Sequence, residues 1–309
     1  KVYLAGNIRK SVLELLPEIK KDDWVILELS SFQLRDLLEY DNDDAMYGKP
    51  EIAVLTNIYE DHLNWHKDLE DYKQAKTAIF KFQNQNNHLF VNPEDQQTEE
   101  LVKDAKAKII KPILPHNLRD TAEKILGQYY LPSVSLAYGV ANFLGVGEKE
   151  IKKELVNFTG LEGRQEKLPD INGIHFINDT TSTMPDATIA AIERFKIKAG
   201  ESKLILIAGG QDKNLSYQKL AEMLKSSVGV LILLPGTATE KIKKEMGVEN
   251  KEWQMAESME EAVKISFEQA KIGDYILLSP GAASFGLFNN EFDRGKRFAA
   301  AVKNLVKNN

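Results

Sequence analysis

At 309 residues the chain is longer than one ordinary domain, so two domains are expected. Hydrophobic residues make up 43% and charged residues 28%, which suits a globular chain with a sizeable buried core. A formal net charge of -6 argues against a nucleic-acid binder, and the lack of cysteine excludes disulfides and thiolate metal sites. No apolar run reaches membrane-spanning length, and no signal-peptide layout opens the chain; a cytoplasmic protein, away from any membrane, is expected.

Val2-Tyr3-Leu4-Ala5 reads as a strand already under way, so the N-terminus looks cut. Strand-like runs follow at 24–29, 52–58 and 88–91, with helical patterns at 11–19, 72–82, 132–144 and 148–158. Further along, strands are expected at 174–178, 204–208, 229–234 and 275–278. Helices are expected near 186–195, 217–225, 239–246, 259–271 and 292–306. Such alternation predicts an α/β fold with right-handed βαβ units and mostly parallel sheets. Gly160-Leu161-Glu162-Gly163 marks the expected boundary between domains 1–160 and 161–309. The acidic stretch Glu39 to Asp44 reads as a solvated loop.

Chemistry in open α/β sheets gathers at the carboxyl ends of strands. Glu28 ends the run Val25-Ile26-Leu27, whose apolar character predicts burial on both faces; a carboxylate there needs a cation, or else it is a rim glutamate. His62 lies just past the next strand and, with Glu28, could share a hard cation such as Mg²⁺, though spacing alone is weak support. Lys76, on a helix, reads by default as solvated. Asp179 follows a strand where a ribose-binding acid, or equally a loose helix cap, would sit. Gly209-Gly210-Gln211-Asp212-Lys213 is a glycine turn ending in a cation, and matches no named phosphate loop. Ser279 to Ser284 places serines and small residues at a strand-to-helix turn, which suits a carboxylate ligand or an ordinary tight turn. The 309 residues contain no G-x-S-x-G, H-E-x-x-H, G-x-G-x-x-G after a strand, or G-x-x-x-x-G-K-[ST].

Several clusters, in this order, resemble the Mur ligase family. Glu28-Leu29-Ser30-Ser31-Phe32-Gln33-Leu34 has the form found in its D-glutamate-adding members. Gly6-Asn7-Ile8 is similar to the family's glycine-rich turn, and Asn57 to His62 to its N-x-x-x-D-H segment. Tyr72-Lys73-Gln74-Ala75-Lys76 resembles the segment carrying a carbamylated lysine. Phe158-Thr159-Gly160-Leu161 with Arg164, then Asn178-Asp179, then Ser279-Pro280 and Ala283-Ser284, complete the series.

The resemblance implies a truncated P-loop-NTPase-like central domain with a mostly parallel sheet, and a Rossmann-like C-terminal domain. It implies a monomeric, ATP-dependent amide ligase of peptidoglycan synthesis that joins UDP-N-acetylmuramoyl-L-alanine and D-glutamate through an acyl phosphate. Glu28, His62 and carbamylated Lys76 would hold Mg²⁺ and carry catalysis. Asn7 would meet the uridine-linked substrate, Ser30 would also bind substrate, and Ser284 and Phe285 would line the D-glutamate pocket. Arg164, Asp179 and Lys213 would bind ATP. Departures from the pattern are Thr181 where the family has lysine, Tyr129-Tyr130-Leu131-Pro132-Ser133 at its adenine-side H-N-x-x-N, and Arg9 where glycine is usual. The family's N-terminal domain and phosphate loop would precede Lys1, and these residues alone are expected to ligate nothing detectable. The competing readings are a non-catalytic nucleotide or amino-acid binding module, and a folate polyglutamate ligase of the same superfamily.

Overall fold

The computed structural model describes residues 1–8, 10–38, 49–59, 65–247 and 253–306. Arg9, the Glu39 to Asp44 stretch and His62 lie outside the described residues. Two compact units form: one of residues 1–119 with 131–151, the other of residues 120–130 with 152–309.

The first unit opens with β1 (Val2–Gly6), α1 (Val12–Leu15) and β2 (Trp24–Glu28). The two strands pair in parallel, with Gly6 opposite Glu28. Tyr3 and Ala5 pack with Leu15 of α1. The other face is open: Leu4 is 54% and Ile26 55% exposed. The expected burial of β2 on both faces is therefore not met: Leu27, on the face opposite Ile26, is 41% exposed, and the α1 cluster takes in residues of β1 only. Helix α1 also stops short of residue 19, since Pro17 breaks the pattern.

The unit continues with α2 (Ser31–Leu38), β3 (Ile52–Leu55), α3 (Leu69–Lys81), β4 (His88–Val91), α4 (Gln96–Leu101) and β5 (Lys108–Ile110). Strands β3, β4 and β5 form a parallel sheet in that order. Helix α3 buries Tyr72, Ala75 and Ala78 at helical spacing. Asp68 caps that helix by accepting from Asp71 N at 2.9 Å. Tyr72 and Phe80 meet Leu55, Leu89 and Val91 in the core. After α5 (His116–Leu126) come a 3₁₀ turn (Gln128–Tyr130), α6 (Leu131–Phe143) and α7 (Glu148–Asn157).

The second unit carries β6 (Glu166–Lys167), β7 (His175–Asn178), α8 (Pro185–Ala199), β8 (Leu204–Gly209), α9 (Gln218–Ser227) and β9 (Val230–Leu234). It closes with α10 (Thr237–Met246), β10 (Trp253–Met255), α11 (Met259–Gln269), β11 (Tyr275–Leu278) and α12 (Glu291–Leu305). The sheet order is β10-β9-β8-β11-β7-β6, parallel throughout except for β6. Every residue of β8 is buried, so alternation is lost and the strand reads as one apolar run. Leu204 and Leu206 face residues of α8, α9 and α10, while Ile205 and Ile207 face those of α11 and α12. Each such side chain contributes roughly 1.5–3 kcal/mol by leaving water. The chain passes from β7 to β8 and only later inserts β11 between them. That puts the carboxyl ends of β7, β11 and β8 side by side at a topological switch. Among the described residues no helix is long and apolar enough to cross a membrane.

Candidate active site

In the first unit the structure brings Asn7 and Glu28 together. Gly6 has φ +97°, and a Cβ there would lie 2.2 Å from the Glu28 carbonyl oxygen, so only glycine permits the close approach. Asn7 N then donates to Glu28 O at 2.7 Å. Glu28 itself is exposed, and its carboxylate bears little of the desolvation cost expected from the apolar strand.

The next residues build a capping box. Ser30 N and Oγ both donate to Gln33 Oε1, at 2.9 and 3.1 Å, and Gln33 N donates back to Ser30 Oγ at 3.3 Å. The Ser30 hydroxyl is thus committed to starting α2. Lys76 lies half-buried on α3, with its Nζ 5.6 Å from the centre of the Tyr72 ring one turn back. Of the three expected metal ligands, Glu28 supplies an exposed hard oxygen donor and Lys76 an amine, which ligates only once converted to an anion. His62 lies outside the described residues, and among those described no group of three or more His, Asp or Glu could hold an ion.

Sequence reasoning missed a buried relay nearby. Ser31 Oγ lies 2.9 Å from His66 Nε2, and His66 Nδ1 lies 3.4 Å from Asp71 Oδ2. Asp71 in turn accepts from Arg35 and, at 3.0 Å, from Lys67 N. The Lys67 N–H, then Arg35, hold its carboxyl below the usual range. Ser–His–Asp order suggests a nucleophile, but Ser31 and His66 are each only 2% exposed. The relay therefore staples α2 to α3. No local motif marks His66: Asp71 is five residues on, but Ser31, which completes the relay, is 35 residues away.

In the second unit Asp179 follows β7 and is the hub. Its carboxylate accepts from Gln165 N at 3.1 Å, from Ser279 Oγ at 2.8 Å and from Ser182 Oγ. Burial pushes its carboxyl up to about 6, while the Ser182 and Ser279 hydroxyls, the Gln165 N–H and Arg164 pull the other way. Arg164 is exposed, on a turn pressed against the same loop: a Cβ on Gly163 would meet Thr180 Cγ2 at 2.8 Å. Thr181, where the resembling family has lysine, donates from its Oγ1 to Gly163 O at 2.9 Å. Lys213 reaches the same loop from beyond β8, with Nζ 3.1 Å from Thr183 Oγ1. Tyr130 sits in the fields of Asp179, Arg164 and Arg194, and burial, then Asp179, pushes its hydroxyl up to about 12.

Beyond β11, Ser284 is buried and its Oγ has no hydrogen-bond partner among the described residues, while Phe285 is 64% exposed. A small cleft there is lined by Gly209, Gly210, Ser284, Phe285, Phe288 and Arg294. The Arg164 turn and Lys213 thus both approach the loop that Asp179 opens, and Ser284 and Phe285 lie on the loop after β11. Hydroxyls and two cations at adjoining strand ends suit anionic ligands. Arg294, fully buried on α12, was not anticipated, because a lone arginine in a helix ordinarily reads as solvated.

Comparison with known proteins gives this geometry a family context. The Mur ligase middle domain matches residues 8–151, and the Mur ligase glutamate ligase domain matches residues 163–281. The chain is 35% identical over 338 residues to the UDP-N-acetylmuramoylalanine--D-glutamate ligase of Acetivibrio thermocellus, covering 99% of this chain and 69% of that protein. It is 34% identical to the ligase of the same name from Thermoanaerobacter sp., covering 99% and 70%. Among solved structures, the MurF ligase of Thermotoga maritima in complex with ADP aligns with a TM-score of 0.71 at 16% identity, covering 100% of this chain and 74% of that one. The E. coli FolC complex with DHPP and ADP aligns at 0.60 and 18% identity, covering 92% and 66%. At such identities the structural likeness speaks for the fold alone.

Proposed function

Since the chain belongs to the Mur ligase family, we propose that it forms the amide bond between the L-alanyl carboxylate of UDP-N-acetylmuramoyl-L-alanine and the amine of D-glutamate, at the expense of ATP. The observation that carries this is the 35% identity, across 99% of the chain, to a ligase named for D-glutamate. The motif from Glu28 to Leu34, folded as a strand end running into a capped helix, agrees with it.

A carboxylate is a poor electrophile, so ATP first transfers its γ-phosphoryl group to a carboxylate oxygen, releasing ADP. The neutral amine of D-glutamate then attacks the acyl carbon, and the tetrahedral intermediate expels phosphate. Within this scheme Arg164 and Lys213 neutralise phosphate oxygens, and Asp179, buried and committed to internal donors, serves ATP binding by fixing the loop that they approach. Ser284 and Phe285 receive D-glutamate, the buried hydroxyl supplying a donor with no partner among the described residues. Asn7 meets the uridine-linked substrate beside Glu28, and Ser30 holds the start of α2 at that point. Glu28 and His62, with Lys76 as its carbamate, would hold Mg²⁺, which supplies charge neutralisation at the transferring phosphoryl group. We take the glutamate-ligase domain to open at Leu161 and the protein to act as a cytoplasmic monomer.

The test uses the complete product of the reading frame that encodes these residues. Phosphate release should require ATP, UDP-N-acetylmuramoyl-L-alanine and D-glutamate together. Turnover with L-glutamate, L-lysine or a folate acceptor in their place, and none with D-glutamate, would sink the assignment. Nucleotide binding without turnover would favour the binding-module reading, to which the Thr181 and Tyr130 departures point.

A further inference from the structure

Arg294 stands out energetically. Its side chain is fully buried, and no carboxylate among the described residues lies within ion-pair distance of it. Its donors go to neutral oxygens: Nε to Thr180 Oγ1 at 3.1 Å, Nη2 to Thr180 O at 2.7 Å and Nη1 to Ala282 O at 3.0 Å. Burial pulls its guanidinium down to about 10, and the more distant charges of Glu291 and Asp179, with the neutral acceptors, offset only part of that cost. The cost falls where two loops meet. Thr180 adjoins Asp179 on the loop after β7, and Ala282 lies two residues before Ser284 on the loop after β11.

Independent packing ties α12 to the same places. A Cβ on Gly295 would lie 2.6 Å from Thr180 Cγ2 and 3.2 Å from Asn178 Nδ2, so the helix seats directly on the first loop. Thr180 Oγ1 also donates to Glu291 O at 2.6 Å. On the other side Phe288 N donates to Ser284 O at 3.2 Å, and Asn290 then caps α12 by accepting from Phe292 N and Asp293 N. One planar guanidinium therefore spans both loops, and a displacement of either strains the bonds to the other. Arginine can do this because its donors point along fixed, diverging directions; a lysine ammonium is a single point.

We propose that Arg294 is a positioning residue that couples the two loops, so that nucleotide held by the Asp179 loop raises the affinity for D-glutamate held by the Ser284 loop. This rests on the assignment of those loops made above. Linkage requires the effect to be reciprocal: D-glutamate strengthens nucleotide binding by the same factor.

The test is calorimetric titration of D-glutamate with and without saturating ADP, and of ADP with and without D-glutamate, on the full-length protein. The unaltered protein should show a coupling factor of about fivefold or more. Arg294→Lys keeps the charge but cannot bridge both carbonyls; its coupling should fall to roughly unity while its affinity for ADP alone changes by less than about threefold. Thr180→Val, nearly isosteric and suited to the case in which the first variant fails to fold, removes the Nε acceptor and should lower the coupling about twofold or more. Absence of coupling in the unaltered protein, or full coupling in a folded variant, overturns the proposal. Because no turnover is needed, the outcome is separate from the ligase assay. Full coupling in a variant that still ligates overturns the coupling role alone, whereas failure to bind either ligand overturns both readings.

Discussion

Replacing Asp179 with asparagine should change how stability depends on pH. Its carboxyl titrates near 6 in the folded protein, against a reference of 3.8, because it is buried. Below about pH 3.8 the group is protonated in both folded and unfolded chains, and its contribution is fully present. Between the two values the unfolded chain gives up the proton while the folded chain keeps it, so the stability of the second unit falls as pH rises. Above about pH 6 both states are ionised and the loss is complete. The difference of about two pKa units corresponds to roughly 3 kcal/mol. Carboxylates held low in the fold, such as Asp71 and Asp212, act in the opposite sense, losing their contribution as pH falls. Subtracting the Asp179→Asn curve from the parent curve cancels them. The assay is urea unfolding from pH 4 to 7.5, followed by Trp253 fluorescence with Trp24 and Trp65 changed to phenylalanine, because only Trp253 belongs to the second unit. The parent should lose roughly 2.4 kcal/mol more than the variant between pH 4 and 7, because part of the loss is already complete at pH 4. A flat difference, or one of opposite sign, would refute burial as the dominant influence on Asp179.

Lys76→Ala should lower kcat of the complete enzyme by roughly 100-fold or more, with ADP affinity kept; steady-state kinetics with full activity would remove its carbamate from the mechanism. Lys213→Ala removes the cation that reaches Thr183 and should raise the KM for ATP about tenfold, the equivalent of 1.4 kcal/mol, without unfolding the unit. Gly6→Ala forces a side chain onto the Glu28 carbonyl at positive φ and should destabilise the first unit by about 2 kcal/mol, read as a lowered urea midpoint. Gln33→Ala opens the capping box and should cost about 1 kcal/mol in the same measurement.

Much of the fold was legible in the chain. Strands β4 and β11 fall at their expected residues, and β8, β9, α8 and α12 lie within a few residues of expectation, since long apolar runs and helical spacing are local signals. The strands of two or three residues, β5, β6 and β10, were not anticipated. Runs that short carry no period, and β6 exists only through its pairing with β7. Helix α2 was also missed, although Ser30 and Gln33 spell its capping box. The motif order supplied the candidate site residues, and in the structure the Arg164 turn and Lys213 both approach the loop that Asp179 opens. Ser30 turned out to be occupied at a helix start, and the open face of β2 contradicted its apolar sequence.

The sequence by itself determined the alternation of elements, the family and which strand ends bear polar clusters, because each is written in residues close together along the chain. Only the tertiary structure decided that Asp179 is a buried hub, that Ser31, His66 and Asp71 form a staple, and that Arg294 bridges two loops. Burial and partnership are set by neighbours brought from far away, 100 residues in the bond from Ser279 to Asp179 and 114 in that from Arg294 to Thr180, and no local pattern records them.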